Sequence, residues 1–223
     1  MNLIISCEHY SNELPHEFSN LFAQNEKVAE THRAYDIGAK LIFSGLQKLA
    51  FASFYYPYSR LLIEVNRSLH HPKLFSEFSK KLDKQTRKNL INSYYLPYRN
   101  KVEKACWGQI VEGKEFLHLS VHSFTPVLGN EIRNADIGLL YDPKNPIERE
   151  FAKKFKESIR AIDPNLKVRF NYPYLGTADG FTTYLRKKLG PKYAGIELEV
   201  KNDVINNQII ETLYKSLQKV IRE

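Results

Sequence analysis

The chain has 223 residues, 43% hydrophobic and 26% charged, and its 33 Lys and Arg against 25 Asp and Glu leave a net charge of +8. That length builds a full core without disulfides, and the two cysteines, Cys7 and Cys106, form no disulfide framework. No apolar run approaches the roughly 18 residues of a membrane span, and Met1-Asn2 lacks the basic region of a signal peptide. The expectation is a soluble, cytoplasmic, single-domain protein spanning residues 1–223.

The positive charge falls in two clusters, Lys80, Lys81, Lys84, Arg87 and Lys88, then Lys153, Lys154, Lys156 and Arg160. Both suit solvated helix faces. No zinc-finger spacing or RNA-binding signature accompanies them, so nucleic acid is not the expected partner. A basic balance also suits an enzyme for small anionic substrates, which it steers electrostatically.

In chain order, Leu3 to Cys7 reads as a strand and Ala34 to Leu49 as a helix, with Ile37, Leu41, Ile42, Leu46 and Leu49 at helical spacing. Phe51 to Tyr56 and Leu61 to Val65 read as short strands. A helix-rich stretch from Pro72 to Ile110 is expected to break at Pro97. Phe116 to Val121 alternates apolar and polar residues as a strand does, ending at His122 before Ser123, Thr125 and Pro126. Ile137 to Tyr141 is a strand, and Pro146 to Ile162 a helix opened by its proline. Val168 to Phe170 leads into a loop over 171–180, Ala194 to Val200 is the last strand, and Asn206 to Arg222 closes the chain as a helix. The alternation predicts an α/β fold of three layers, a central mixed sheet flanked by helices.

Ligands of open α/β sheets gather at the carboxyl ends of strands. His9 follows the first strand and His122 ends the middle one, so the two can meet across neighbouring strands and share a metal ion; each is also readable as an ordinary loop histidine. Asp36 can complete a two-histidine, one-carboxylate set that leaves a position for water, or it can cap the helix that follows. Asn66-Arg67 follows an apolar run and offers a guanidinium fork for a substrate carboxylate. Glu197 and Glu199 share one strand face, which in a buried strand requires a partner. Cys7, in a buried-looking strand, is read as core, and Tyr94, Tyr95, Tyr172 and Tyr174 are read as packing. The chain has no Gly-x-Ser-x-Gly elbow, phosphate loop, dinucleotide fingerprint or His-Glu-x-x-His pair.

These residues resemble the N-formylglutamate amidohydrolase-like family, within the zinc carboxypeptidase-like superfamily. The matching segments are Ser6-Cys-Glu-His9-Tyr-Ser-Asn12 with Pro15, His32-Arg-Ala-Tyr-Asp36-Ile-Gly-Ala39, and Ser59-Arg60 with Asn66-Arg67. Val121-His122-Ser-Phe-Thr-Pro126, Asp136-Ile-Gly-Leu-Leu-Tyr-Asp142, and Thr183-Tyr-Leu-Arg186 with Gly195-Ile-Glu-Leu-Glu199 follow in family order. The resemblance implies a phosphorylase/hydrolase-like α/β fold and a zinc-dependent hydrolase that releases formate from N-formylglutamate. It implies that His9 and His122 hold the metal, that Asn66 and Arg67 bind substrate together with Arg60 and Arg133, and that Glu199 activates water, with Glu197 as the fallback. The chain departs from the superfamily at Asn12, where a glutamate ligand is expected; Asp36 is the replacement. A different N-acyl amino acid or a small peptide needs much the same site, so a peptidase or cell-wall amidase is the rival enzyme. A basic binding module with a decayed site is the non-enzymatic rival.

Overall fold

A computed structural model describes residues 1–23 and 25–222. The described strands are β1 (Asn2–Cys7), β2 (Ala52–Tyr55), β3 (Phe116–Phe124), β4 (Val127–Leu128), β5 (Glu131–Ile132), β6 (Ile137–Leu140), β7 (Val168–Phe170) and β8 (Gly195–Lys201). The helices are α1 (Ala39–Leu46), α2 (Lys84–Leu90), α3 (Leu96–Val111), α4 (Pro146–Ile162), α5 (Phe181–Leu189) and α6 (Asn207–Arg222). Six strands form one sheet in the order β2-β1-β3-β8-β6-β7. β2, β1, β3 and β8 run parallel, and β6 opposes β8, so the sheet is mixed as expected.

The register sorts the strands into two faces. Leu3, Ile5 and Cys7, with Leu117, Leu119 and Val121 and then Ile196, Leu198 and Val200, bury one face beneath α1, α4 and α6. The other face carries Ser6, His118, Ser120, His122, Glu197 and Glu199 in adjacent rows. It is covered by α3, α5 and the segment around Tyr56 to Val65. All nine residues of β3 are buried, so the polar groups it carries on this face, His118, Ser120 and His122, are expected to find partners inside the protein.

Several elements depart from the sequence expectation. The helix over 34–49 begins only at Ala39, because Gly38 sits in the left-handed region at φ 88° and starts it there. Leu61 to Val65 joins no strand; it is a buried turn, with Leu62 N–H donating to Ser59 O and Glu64 N–H to Leu74 O. Leu62, Ile63 and Val65 are apolar because they pack with Tyr95, Tyr98 and Phe181 in the layer over this face of the sheet, and alternation cannot reveal burial of that kind. Pro97 does not break the helical stretch. The turn before it, Ile91–Tyr95, is widened so that Leu96 N–H reaches Ile91 O five residues back, which accommodates the proline's missing donor. β3 continues to Phe124, so His122 lies inside the strand rather than at its end. The helix Phe181–Leu189 and the hairpin β4–β5 were not foreseen. α4 begins as expected: Pro146 opens it and Asn145 Oδ1 accepts from Ile147 and Glu148 N–H. No helix among the described residues is long and apolar enough to cross a membrane.

Candidate metal centre and substrate cavity

β1 and β3 are parallel neighbours, so the turn after β1 and the last third of β3 lie side by side. This brings His9 and His122 together with ring centroids 4.9 Å apart. Asp36 joins them because its N–H donates to His9 O at 3.0 Å, tying the turn before α1 to the end of β1. Asp36 Oδ2 lies 3.2 Å from His9 Nδ1 and 2.9 Å from His122 Nδ1, and all three residues are buried. Asp36 is no helix cap; the residue preceding α1 is Gly38, without a side-chain bond.

The outer nitrogens determine what the inner ones can be. His9 Nε2 is 2.7 Å from Glu64 Oε1, and His122 Nε2 is 2.9 Å from Ser120 Oγ and 3.3 Å from Glu8 Oε2. Burial acts to raise both glutamates, but the histidines, joined by Arg60 at Glu64 and by His118 and Ser120 at Glu8, outweigh it. They hold both carboxyls well below the usual carboxylate range. Carboxylates only accept, so each Nε2 carries the hydrogen and each neutral ring turns an Nδ1 lone pair toward Asp36, another acceptor. Three acceptors facing one point require protons or a cation between them. Protons are the answer when no ion is present: burial disfavours charge on both rings and Arg60 opposes it at His9. The neighbouring carboxylates prevail and raise both rings, His122 well above its ordinary value. A metal ion is the other answer. Asp36 Oδ2 lies 3.2 and 2.9 Å from the two nitrogens, near the ~3.3 Å edge of a tetrahedral zinc site. The three donor atoms all fall within 4.8 Å of one another, and carboxylates are among the usual outer hydrogen-bond partners of metal-binding histidines. Asn12 takes no part; its amide donates to Ala29 O at 3.0 Å.

The cavity over this cluster has a volume of about 170 Å³. Glu199, opposite His122 in the β3–β8 register, lines it and is buried, and its Oε2 has no hydrogen-bond partner among the described residues. Burial, opposed by His122 and reinforced by Asp36 and Glu197, pushes its carboxyl up to about 8. Glu197 lines the same cavity and accepts from Thr182 Oγ1 at 2.5 Å, so of the pair Glu199 is the one left unpartnered. Arg60 lines the wall but is committed: Nε donates to Glu64 at 2.6 Å and Nη1 to Asp36 at 3.3 Å. Asn66 holds the wall in place, accepting from Phe181 N–H at 2.8 Å. Arg67 donates to the backbone carbonyl of Asp179, and no carboxylate lies within ion-pair reach of it among the described residues. Arg133 stands one layer back, reaching the cavity through Tyr174. Cys7 points into the apolar core, where burial pushes its thiol well above the ordinary value.

The structure brings together His9, Asp36, His122, Glu197, Glu199, Asn66, Arg67 and Arg60 around one cavity. Sequence reasoning missed Glu8 and Glu64, and read Tyr174 as packing although it lines the cavity. Glu64 left one trace, its place four residues after Arg60; nothing local marks Glu8.

The sequence profile of the N-formylglutamate amidohydrolase family matches residues 1–206. No curated protein matches the chain. Among solved structures, the gene product Atu2144 from Agrobacterium tumefaciens superposes with a TM-score of 0.78 at 24% identity, covering 100% of this chain and 92% of that one. An N-formylglutamate amidohydrolase from Ralstonia eutropha JMP134 superposes with a TM-score of 0.69 at 16% identity, covering 98% and 90%. At these identities the two structures speak for the fold, and the profile match over most of the length speaks for descent: the chain belongs to the N-formylglutamate amidohydrolase family, hydrolases of a carbon–nitrogen bond.

Proposed function

We propose that this chain is a zinc-dependent amidohydrolase that cleaves the amide of a small N-acyl amino acid such as N-formylglutamate. The observation that carries the reading is the convergence of His9 Nδ1, His122 Nδ1 and Asp36 Oδ2 with both outer nitrogens held by carboxylates. His9, His122 and Asp36 are the ligands. Zinc bound there supplies Lewis acidity and positive charge, which polarise the acyl oxygen, acidify water and favour the ionised form of Glu199. Glu199 accepts the proton of the attacking water and returns it to the leaving nitrogen, a task suited to a buried, unpartnered carboxyl in the same cavity. Arg67 pairs with the amino acid's carboxylate and holds the amide over Glu199. Asn66 keeps that wall rigid through its bond to Phe181, and Arg60 keeps Glu64 ionised behind His9 and pairs with Asp36 at 3.3 Å.

The cavity's size favours a small substrate over a peptide. About 170 Å³ is well short of the roughly 300–1,000 Å³ of pockets that take drug-sized ligands. The test is metal content and formate release, measured for wild type and His122→Ala side by side. About one zinc per chain, lost in the variant together with hydrolysis of N-formylglutamate, supports the reading. A wild-type protein that neither holds nor takes up zinc overturns it.

A further inference from the structure

Arg99, in α3, is a buried guanidinium outside the cavity. It is 3% exposed, and no carboxylate lies within ion-pair reach of it among the described residues. The rings of Phe181, Tyr184 and Tyr95 enclose it, with centroids 4.2, 4.4 and 4.9 Å away. A charge buried without a counter-ion is costly, and an apolar side chain would fill the space among those rings without that cost. What an apolar side chain would not supply is the pair of hydrogen bonds from Arg99 Nη1, to Val65 O at 2.8 Å and to Arg67 O at 3.3 Å.

Val65 and Arg67 bracket Asn66, so one cation grips the backbone on both sides of the turn whose Asn66 and Arg67 line the cavity. Tyr95, four residues before Arg99 and on the same helical face, adds its hydroxyl, which donates to Arg67 O at 2.7 Å. It ends the widened turn Ile91–Tyr95, a distortion that recurs at functional sites. Phe181 closes the clamp from α5: its ring lies against Arg99 and its N–H donates to Asn66 Oδ1. The guanidinium of Arg67 itself is held more lightly, by the single backbone carbonyl of Asp179. An arginine side chain is long and rich in rotamers, so the place of its tip over the cavity depends on how firmly its backbone is fixed. Binding groups tolerate only about 0.5 Å of misplacement.

Resting on the amidohydrolase reading, in which Arg67 takes a substrate carboxylate, we propose that Arg99 is a positioning residue for substrate binding. With Tyr95 it clamps the carbonyls of Val65 and Arg67 and so presets the Arg67 guanidinium for the carboxylate. It touches neither substrate nor metal ligand and acts through Arg67. Its removal therefore weakens binding only while Arg67 is present, and leaves the metal centre intact.

The experiment is a double-mutant cycle read by calorimetric binding of N-formylglutamate to zinc-loaded protein carrying Glu199→Gln, which spares the ligand from turnover. Arg99→Met is expected to weaken binding about tenfold, within the range that a misplaced group costs, with zinc content unchanged; Arg99→Lys should restore part of the loss. In protein that also carries Arg67→Met, the same Arg99→Met change is expected to weaken binding less than about twofold, because the side chain it positions is gone. Unchanged affinity in Arg99→Met, an equal loss with and without Arg67, or loss of zinc alongside affinity overturns the proposal. Should Arg99→Met not fold, Tyr95→Phe carries the same cycle: it keeps the ring against the guanidinium, removes one hydroxyl, and is expected to cost about threefold, again only with Arg67 present. Turnover decides the underlying reading separately. A chain with Glu199 intact that binds N-formylglutamate but releases no formate loses the amidohydrolase assignment and keeps the clamp, whereas a chain that binds none loses both.

Discussion

Replacing Glu199 by Gln is expected to stabilise the metal-free protein while abolishing its activity. Glu199 has an ordinary carboxyl pKa of 4.5 in the unfolded chain and one of about 8 in the folded protein, raised first by burial. Between those values the folded state keeps a proton that the unfolded chain has released, so stability falls as pH rises through the window. The slope is about 1.4 kcal/mol per pH unit, which places the loss at about 3 kcal/mol by pH 7. Glutamine does not titrate and escapes that loss. Its amide adds an offset of its own, but one independent of pH, so the quantity to read is the change in the difference between variant and wild type. The assay is urea unfolding followed by circular dichroism on chelator-treated protein, at intervals from pH 4.5 to 7. The variant should gain on wild type by about 3 kcal/mol across that range, and with zinc restored its turnover should be down by roughly 10²-fold or more. A difference that stays flat with pH would refute the placement of Glu199 as a buried, unpartnered carboxyl, and turnover retained with zinc bound would refute its role as base.

Three further outcomes follow from named contacts. Glu64→Gln removes the charged partner of His9 Nε2 and should weaken zinc binding roughly 10- to 100-fold, read by competition with a chelator; unchanged affinity would sink the ligand assignment of His9. His118, bonded to Ser6 and Tyr193, has its pKa pushed down to about 4 by burial. The unfolded chain therefore binds an extra proton below pH 6.5, and stability is lost as pH falls from there to about 4, by about 3 kcal/mol in all. The acid limb of a urea-unfolding series should be correspondingly shallower in His118→Gln. Arg186 donates to Glu148 at 2.7 Å and to the carbonyls of Gly176 and Gly195. Arg186→Met should cost about 3–5 kcal/mol because Glu148 stays buried without its cation, and a loss under about 1 kcal/mol in urea unfolding would count against that network.

The three-layer α/β fold was readable from the sequence because its signals are local. Alternation marks β3 and β8, helical spacing and a proline-opened first turn mark α4, and spacing alone marks α6. That His9, His122 and the pair Glu197 and Glu199 gather at one sheet edge was readable for the same reason, since each sits on or just after a strand near its carboxyl end. What separates the pair, Glu197 bonded to Thr182 and Glu199 Oε2 without a partner among the described residues, was not. What belonged to tertiary structure alone was partnership. That Asp36 faces two histidines rather than capping α1 depends on a bond from its N–H to His9 O. Glu64 backs His9 only because Leu61 to Val65 is a buried turn and not the strand its apolar run suggests. Glu8 reaches His122 across two strands, and Arg133 meets Tyr174 from 41 residues away in the chain. Hydrophobic periodicity records which way a side chain points from its own element. The charge and hydrogen bonding that it meets there come from other elements, and only the folded arrangement brings them into contact.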